Sequence, residues 1–188
     1  MGRWENNARS RLEAAALELY SGRGFEQTTV AEIAARAGLT ERTYFRHFAD
    51  KREVLFGGGQ ALREFLVQQV NQAPQALAPL EAVVAAFEAL DFFAAEQRGH
   101  SRQRQRLIEA NAALHERELM KLAQLSAALR EVLRQRGTPG PAAAVAAEVG
   151  MAIFKLAFER WTEESNEQAF AQLVRDALSE LRAVVAGD

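Results

Sequence analysis

Hydrophobic positions recur at steps of three and four along nearly the whole chain, and no stretch alternates with period two. Leu12, Ala15, Ala16, Leu19 and Tyr20 form one stripe and predict a first helix over 7–21. Gly22 and Gly24 close it, with Phe25 turned back toward the core. Thr29 and Glu32 stand in the relation of a capping box. They open a short second helix whose apolar positions are Val30, Ile33, Ala34 and Ala37. Gly38 ends it, because a left-handed residue without Cβ carries no steric cost. Thr40 caps a third short helix over 41–48. Asp50 and Glu53 form a second box, opening a long helix to about Gln72 with Val54, Leu55, Leu62, Phe65 and Leu66 inward. Pro74 and Pro79 bracket a break.

The pattern after Pro79 stays helical. One segment covers 80–96 and Gly99 interrupts it. Ser101 caps a helix to about Ala112, and another covers 114–136. Residues 137–141 form a dense turn cluster. A helix over 142–161 carries Val145, Val149, Ile153, Leu156 and Trp161 at helical steps, and Phe158 and Trp161 near its end read as exposed. Ser165 and Gln168 suggest a third box, opening a last helix with Phe170, Leu173, Val174, Ala177, Leu178, Leu181, Val184 and Val185 at the cleanest spacing in the chain. The expected fold is all-α with about nine helices: a three-helix N-terminal domain over 1–50, then a larger helical domain over 51–188.

Composition narrows the chemistry. Of 188 residues, 48% are hydrophobic and 26% charged, which describes a folded chain and not a disordered one. Cysteine is absent, which excludes disulfides, thiolate nucleophiles and zinc fingers. The most apolar stretch is read as 80–95, cut by Glu81, Glu88 and Asp91, so no membrane span is expected. The first residues lack the apolar segment of a secretory signal, and a cytoplasmic location is expected. Net charge is −2, so the chain is not uniformly basic. Positive charge instead gathers in 36–52, where Arg36, Arg42, Arg46, Lys51 and Arg52 face only Glu41 and Asp50.

Residues 29–48 therefore read as a capped short helix, a turn at Ala37-Gly38-Leu39, and a second capped short helix. Ala34 and Gly38 are small where the helices cross, and Ile33, Leu39, Tyr44 and Phe48 fill the space between. This spacing suits a helix-turn-helix, whose second helix fits a major groove. Glu41, Arg42, Thr43, Arg46 and His47 lie on its outer side, and Lys51 follows near a helix start that favours anions. The other reading of the same spacing is a corner of a helical bundle with a solvated charged face.

The run Thr28–Leu55, extended back through Leu12–Phe25, resembles the DNA-binding domain of the tetracycline-repressor (TetR) family. The resemblance implies that Thr29 caps the second helix against a phosphate. It implies that Thr40 and Thr43 contact backbone or bases, that Glu41, Arg42 and Arg46 read bases, and that His47 and Lys51 contact phosphates. Phe45 stands where the family most often has a phosphate-binding Tyr, which leaves it a thymine methyl to touch. Glu41 replaces a frequently basic residue and suits cytosine N4. The family further implies a homodimer through the last two helices, double-stranded operator DNA with palindromic symmetry, and repression relieved by a small-molecule effector.

An effector pocket is expected among Phe87, Phe92, Phe93, Phe154, Phe158 and Trp161, with Arg106, Asn111 and His115 as polar contacts; a packed core is the other reading of these aromatics. The run Arg98–Arg106 holds four arginines and no acid, and reads either as a solvated helix start or as an anion site. Three scattered histidines, no Gly-rich phosphate loop and no nucleophile elbow argue against an enzyme, a metal site or a cofactor. A helical dimeric scaffold or sensor without operator binding is the alternative function.

Overall fold

The computed structural model describes residues 2–91 and 93–187. The described residues form nine α-helices and no strand. They are α1 (Gly2–Arg23), α2 (Val30–Arg36), α3 (Glu41–His47), α4 (Gly59–Gln72), α5 (Pro79–Glu88), α6 (Arg98–Glu109), α7 (Ala112–Gln135), α8 (Gly140–Thr162) and α9 (Phe170–Ala186), with 3₁₀ turns at Glu53–Phe56 and Ala95–Gln97.

Several boundaries depart from the sequence reading. Helix α1 is longer at both ends, because the polar residues ahead of Asn7 contain no breaker and Gly22 is tolerated within the last turn. The long helix expected from Asp50 is broken. Asp50 Oδ1 accepts from the N–H groups of Arg52 (2.7 Å) and Glu53 (3.2 Å) and caps only the four-residue 3₁₀ turn. Gly57 and Gly58 then separate that turn from α4. The segment expected over 80–96 ends at Glu88, after which the chain turns and sends Phe93 into a cluster of rings. Ser101 lies inside α6 instead of capping it. No box forms at Ser165: Ala169 is the N-cap of α9, and Asn166 Oδ1 accepts from Gln168 N–H at 3.0 Å.

The chain forms two compact units. The first holds residues 1–59 and 103–119. Its core joins Leu12, Ala16, Tyr20, Ile33, Tyr44 and Phe48 to Ile108 and Leu114. The domain drawn from sequence over 1–50 thus differs from the compact unit, which also takes in 103–119. Helix α1 and two seven-residue helices bury too little surface alone, and the second half of α6 and the start of α7 extend the core. Arg104 fixes this junction: its Nε donates to the Leu55 carbonyl at 2.6 Å, its guanidinium pairs with Glu118 at 3.3 Å, and it lies 5.0 Å from the Phe56 ring. Arg117 pairs with Glu53 beside it.

The second unit holds residues 60–102 and 120–188. Helices α5, α8 and α9 pack against one another around Val83, Phe87, Met151, Phe154, Trp161, Phe170 and Val174, with Leu129 and Leu133 of α7. Gly150 sets the closest approach of α5 and α8: a Cβ there would stand 2.6 Å from Val83 Cγ1. Helix α8, not 80–95, is the most membrane-like segment, being 23 residues long and apolar enough to span a bilayer. Its buried residues, from Ala143 to Thr162, belong to the packed interior of this unit. Trp161, which reads as exposed from sequence, is fully buried.

Candidate nucleic-acid interface

The α2–α3 corner is built by local capping. Thr29 Oγ1 accepts from Glu32 N–H at 3.2 Å, and Glu32 Oε2 accepts from Thr29 N–H at 2.8 Å, so the expected capping box is complete. Burial plays little part in the Glu32 carboxyl, which the Thr29 N–H, then the Thr29 hydroxyl, hold below the usual carboxylate range. The turn ends α2 with Gly38 N–H on Ala35 O (2.9 Å) and Leu39 N–H on Ala34 O (2.8 Å). Gly38 has φ +64°, and a Cβ there would lie 2.7 Å from Arg11 Nη2. Thr40 Oγ1 then accepts from Thr43 N–H at 3.2 Å and starts α3.

Helix α1 holds this corner. Arg11 donates to the Ala37 carbonyl within the turn. Arg36 grips Glu18 with two bonds, of 3.0 and 2.6 Å. The underside of α3 is equally fixed. Tyr44 is buried, and its hydroxyl donates to the carbonyls of Asp50 (3.2 Å) and Lys51 (3.3 Å). The Tyr20 hydroxyl donates to the same Lys51 carbonyl at 2.8 Å. Burial, then neighbouring oxygens, pushes both phenols well above the ordinary tyrosine range, so both stay neutral donors.

The outer face of α3 is different. Glu41, Arg42, Phe45 and Arg46 are all exposed, and Phe45 keeps 53% of its surface in contact with solvent. Neither Glu41 nor either arginine has a hydrogen bond or ion pair among the described residues. Elsewhere in this unit Arg9, Arg23, Arg36 and Arg52 are each paired with a carboxylate. The Phe45 ring touches that of Tyr44 edge-on at 5.5 Å, so the outer face presents three unpaired polar tips and one largely exposed ring, groups of the kind that meet base edges.

The flanking candidates are placed differently. His47 is half-buried, with its ring 6.2 Å from that of Phe48. Lys51 Nζ donates to the Phe25 carbonyl at 2.8 Å and lies 4.1 Å from the Phe25 ring, so the ammonium is engaged by its own chain. Arg11, Glu18, Arg36 and Tyr20, which hold the corner in place, escaped sequence reasoning. Their partners lie 26, 18 and 31 residues away, and no local spacing marks them.

In the second unit, Phe87, Phe154, Phe158 and Trp161 do come together, joined by Phe93 and Phe170. Phe92 lies outside the described residues. Arg106, Asn111 and His115 belong to the first unit and are not part of this cluster. Asn111 instead caps α7, its Oδ1 accepting from Ala113 and Leu114 N–H at 3.1 and 3.2 Å, while Arg106 and His115 are exposed. Three arginines of the run hold main-chain carbonyls: Arg98 those of Asn166 and Gln168 between α8 and α9, Arg102 those of Thr162 and Glu163 at the end of α8, and Arg104 that of Leu55 in the first unit.

Two short capped helices joined by a tight turn, the second with an exposed outer face, on an all-helical chain define a helix-turn-helix DNA-binding regulator of transcription. The sequence profile of bacterial regulatory proteins of the tetR family matches residues 12–56, and that of the MftR C-terminal domain matches residues 77–186. The chain belongs to the tetR family of transcriptional regulators.

Over 82 residues it is 39% identical to the HTH-type transcriptional regulator TcmR of Streptomyces glaucescens, covering 44% of this chain and 36% of TcmR. The matched stretch spans under two thirds of each curated relative's length. The fold is shared with FadR of Bacillus subtilis in complex with stearoyl-CoA, at TM-score 0.59 and 17% identity over 92% of this chain and 96% of that one. It is shared equally with the SmeT–triclosan complex, SmeT being a Stenotrophomonas maltophilia repressor, at TM-score 0.59 and 19% identity over 94% and 90%.

Proposed function

We propose that the chain is a repressor that binds a palindromic operator as a homodimer and is released by a small-molecule effector. The exposed outer face of α3, where Glu41, Arg42 and Arg46 are unpaired among the described residues, carries this reading. Arg42 and Arg46 read base edges, Glu41 accepts from a cytosine amino group, and Phe45 packs on a thymine methyl. Thr29 and His47 face the phosphates, and Thr40 and Thr43 contact backbone or bases. A protein with this task works where the chromosome is, in the cytoplasm.

A helix of seven residues reaches too few base pairs for useful selectivity, so two copies are required. Helix α8 offers a surface for pairing: Val145, Ala152 and Leu156 recur at helical steps on its exposed side, with Val145 65% and Leu156 44% exposed. Val184 and Val185 are exposed near the end of α9. Ligand response is supported by the bound stearoyl-CoA and triclosan in two proteins of the same fold. The effector acts by favouring a dimer whose recognition helices no longer match successive major grooves.

Sedimentation velocity tests the assembly. At micromolar concentration the chain should sediment as a dimer, and Leu156→Glu should shift it toward monomer while lowering affinity for a selected duplex. A wild-type monomer that binds the duplex as one copy would overturn the homodimer.

A further inference from the structure

The aromatic cluster of the second unit contains buried donors that its packing leaves unanswered. Trp161 is fully buried, yet its indole Nε1 has no acceptor among the described residues. Buried donors are normally satisfied, so each exception calls for a reason. Arg98 lies beside it, with its guanidinium centre 5.6 Å from the Trp161 ring. Arg98 donates through its terminal nitrogens to the carbonyls of Asn166 and Gln168, while its buried Nε is also without a partner. Arg102 donates to the carbonyls of Thr162 (2.7 Å) and Glu163 (3.1 Å). Neither arginine has a carboxylate partner among the described residues. Two cations and an indole N–H thus stand at one end of an apolar cluster with no anion to answer them.

The rings supply the other half. Phe87, Phe154, Phe158, Trp161 and Phe170 are carried by α5, α8 and α9. Phe93 is carried by the turn between α5 and the 3₁₀ turn, and is only partly buried. Its ring centre lies 4.3 Å from that of Phe170 and 5.2 Å from that of Trp161. The ring least held by secondary structure therefore packs directly against both Phe170 and Trp161.

We propose that this cluster seats the effector, and that the effector is an arylalkyl carboxylic acid. Its ring replaces that of Phe93 between Trp161 and Phe170, and its carboxylate accepts from Trp161 Nε1 and Arg98 Nε. A carboxylate has two acceptor oxygens, one for each of these donors. This inference rests on the ligand-responsive part of the proposed function.

The chain has two tryptophans, so Trp4→Phe leaves Trp161 as the sole indole reporter. In that background, 3-phenylpropionate and its neutral counterpart 3-phenylpropan-1-ol are titrated by fluorescence. The acid should bind at least about tenfold more tightly than the alcohol, the scale of a charge-assisted hydrogen bond. Arg98→Gln should erase that ratio by weakening the acid alone. Should Arg98→Gln fail to fold, Trp161→Phe followed by calorimetry reads the same ratio, and Phe93→Ala should tighten both probes. Equal binding of acid and alcohol, no saturable response to either, or a ratio that survives both Arg98→Gln and Trp161→Phe would overturn the inference. Retention of a selected duplex is measured in parallel. Duplex bound with the probes ignored removes this site and leaves the DNA-binding reading standing; probes bound with no duplex retained does the reverse.

Discussion

Lys51 shows how one residue's surroundings change what its charge is for. By position it resembles a phosphate anchor, yet its ammonium is held by the Phe25 carbonyl and lies over the Phe25 ring. Lys51→Met should therefore lower stability by about 1 kcal/mol, the net scale of such a contact. It should change the salt dependence of DNA binding less than Arg46→Ala does. Thermal unfolding with salt-titrated anisotropy checks both; a loss of salt slope with unchanged stability would return Lys51 to the phosphates. At this scale the sequence was legible where function needs exposure. Arg42, Phe45 and Arg46 are found on the outer face because a helix of period 3.6 with Tyr44 and Phe48 inward leaves them nowhere else. It was illegible where a side chain bends back on distant backbone, as Lys51, Arg98 and Arg102 do.

Helices succeed or fail in sequence reading according to whether their ends are decided locally. The Thr29–Glu32 box and the Gly38 turn need only neighbouring residues, and both stand as read. The ends of α5 and α9 do not. Phe93 lies in the ring cluster beyond the end of α5, and at α9 the Gln168 N–H goes to Asn166 Oδ1 while Ala169, not Ser165, starts the helix.

The caps also set a pH dependence. Glu32 is held low by the Thr29 N–H and hydroxyl. At Asp50 partial burial pushes upward, but bonds from the Arg52 side chain and the N–H groups of Arg52 and Glu53 prevail, and its carboxyl too is lowered. Such groups stabilise the fold fully above the ordinary carboxyl range near ~4, and lose that contribution as pH falls through their lowered folded values. Urea midpoints should drop between pH 6 and pH 3, and Glu32→Gln should drop less over the same interval; an equal drop would deny the carboxylate its part.

Gly150→Ala tests the α5–α8 contact. The new methyl meets Val83, a stiff core side chain, and should cost about 1–3 kcal/mol by denaturant unfolding. An unchanged midpoint would mean the helices yield without strain.

For the whole molecule, the division of labour was legible in outline and not in detail. Helical periodicity and the motif over residues 29–48 point to a DNA-reading head and a helical remainder. That residues 103–119 complete the head's core follows from burial of Ile108 and Leu114, which no local pattern announces. The scattered polar residues Arg106, Asn111 and His115 resembled ligand contacts only because the sequence does not show which core each helix end joins.

The proposed repressor function depends on the outer face of α3 reading duplex DNA. The most direct test compares the wild type with Arg42→Ala/Arg46→Ala on two duplexes, one selected by the wild type from a random pool and one of scrambled sequence, across several salt concentrations. The selected duplex should lose at least about tenfold more affinity than the scrambled one, since base contacts discriminate and phosphate contacts do not. Equal loss on both duplexes, or a wild type that selects nothing from the pool at low salt, would contradict it.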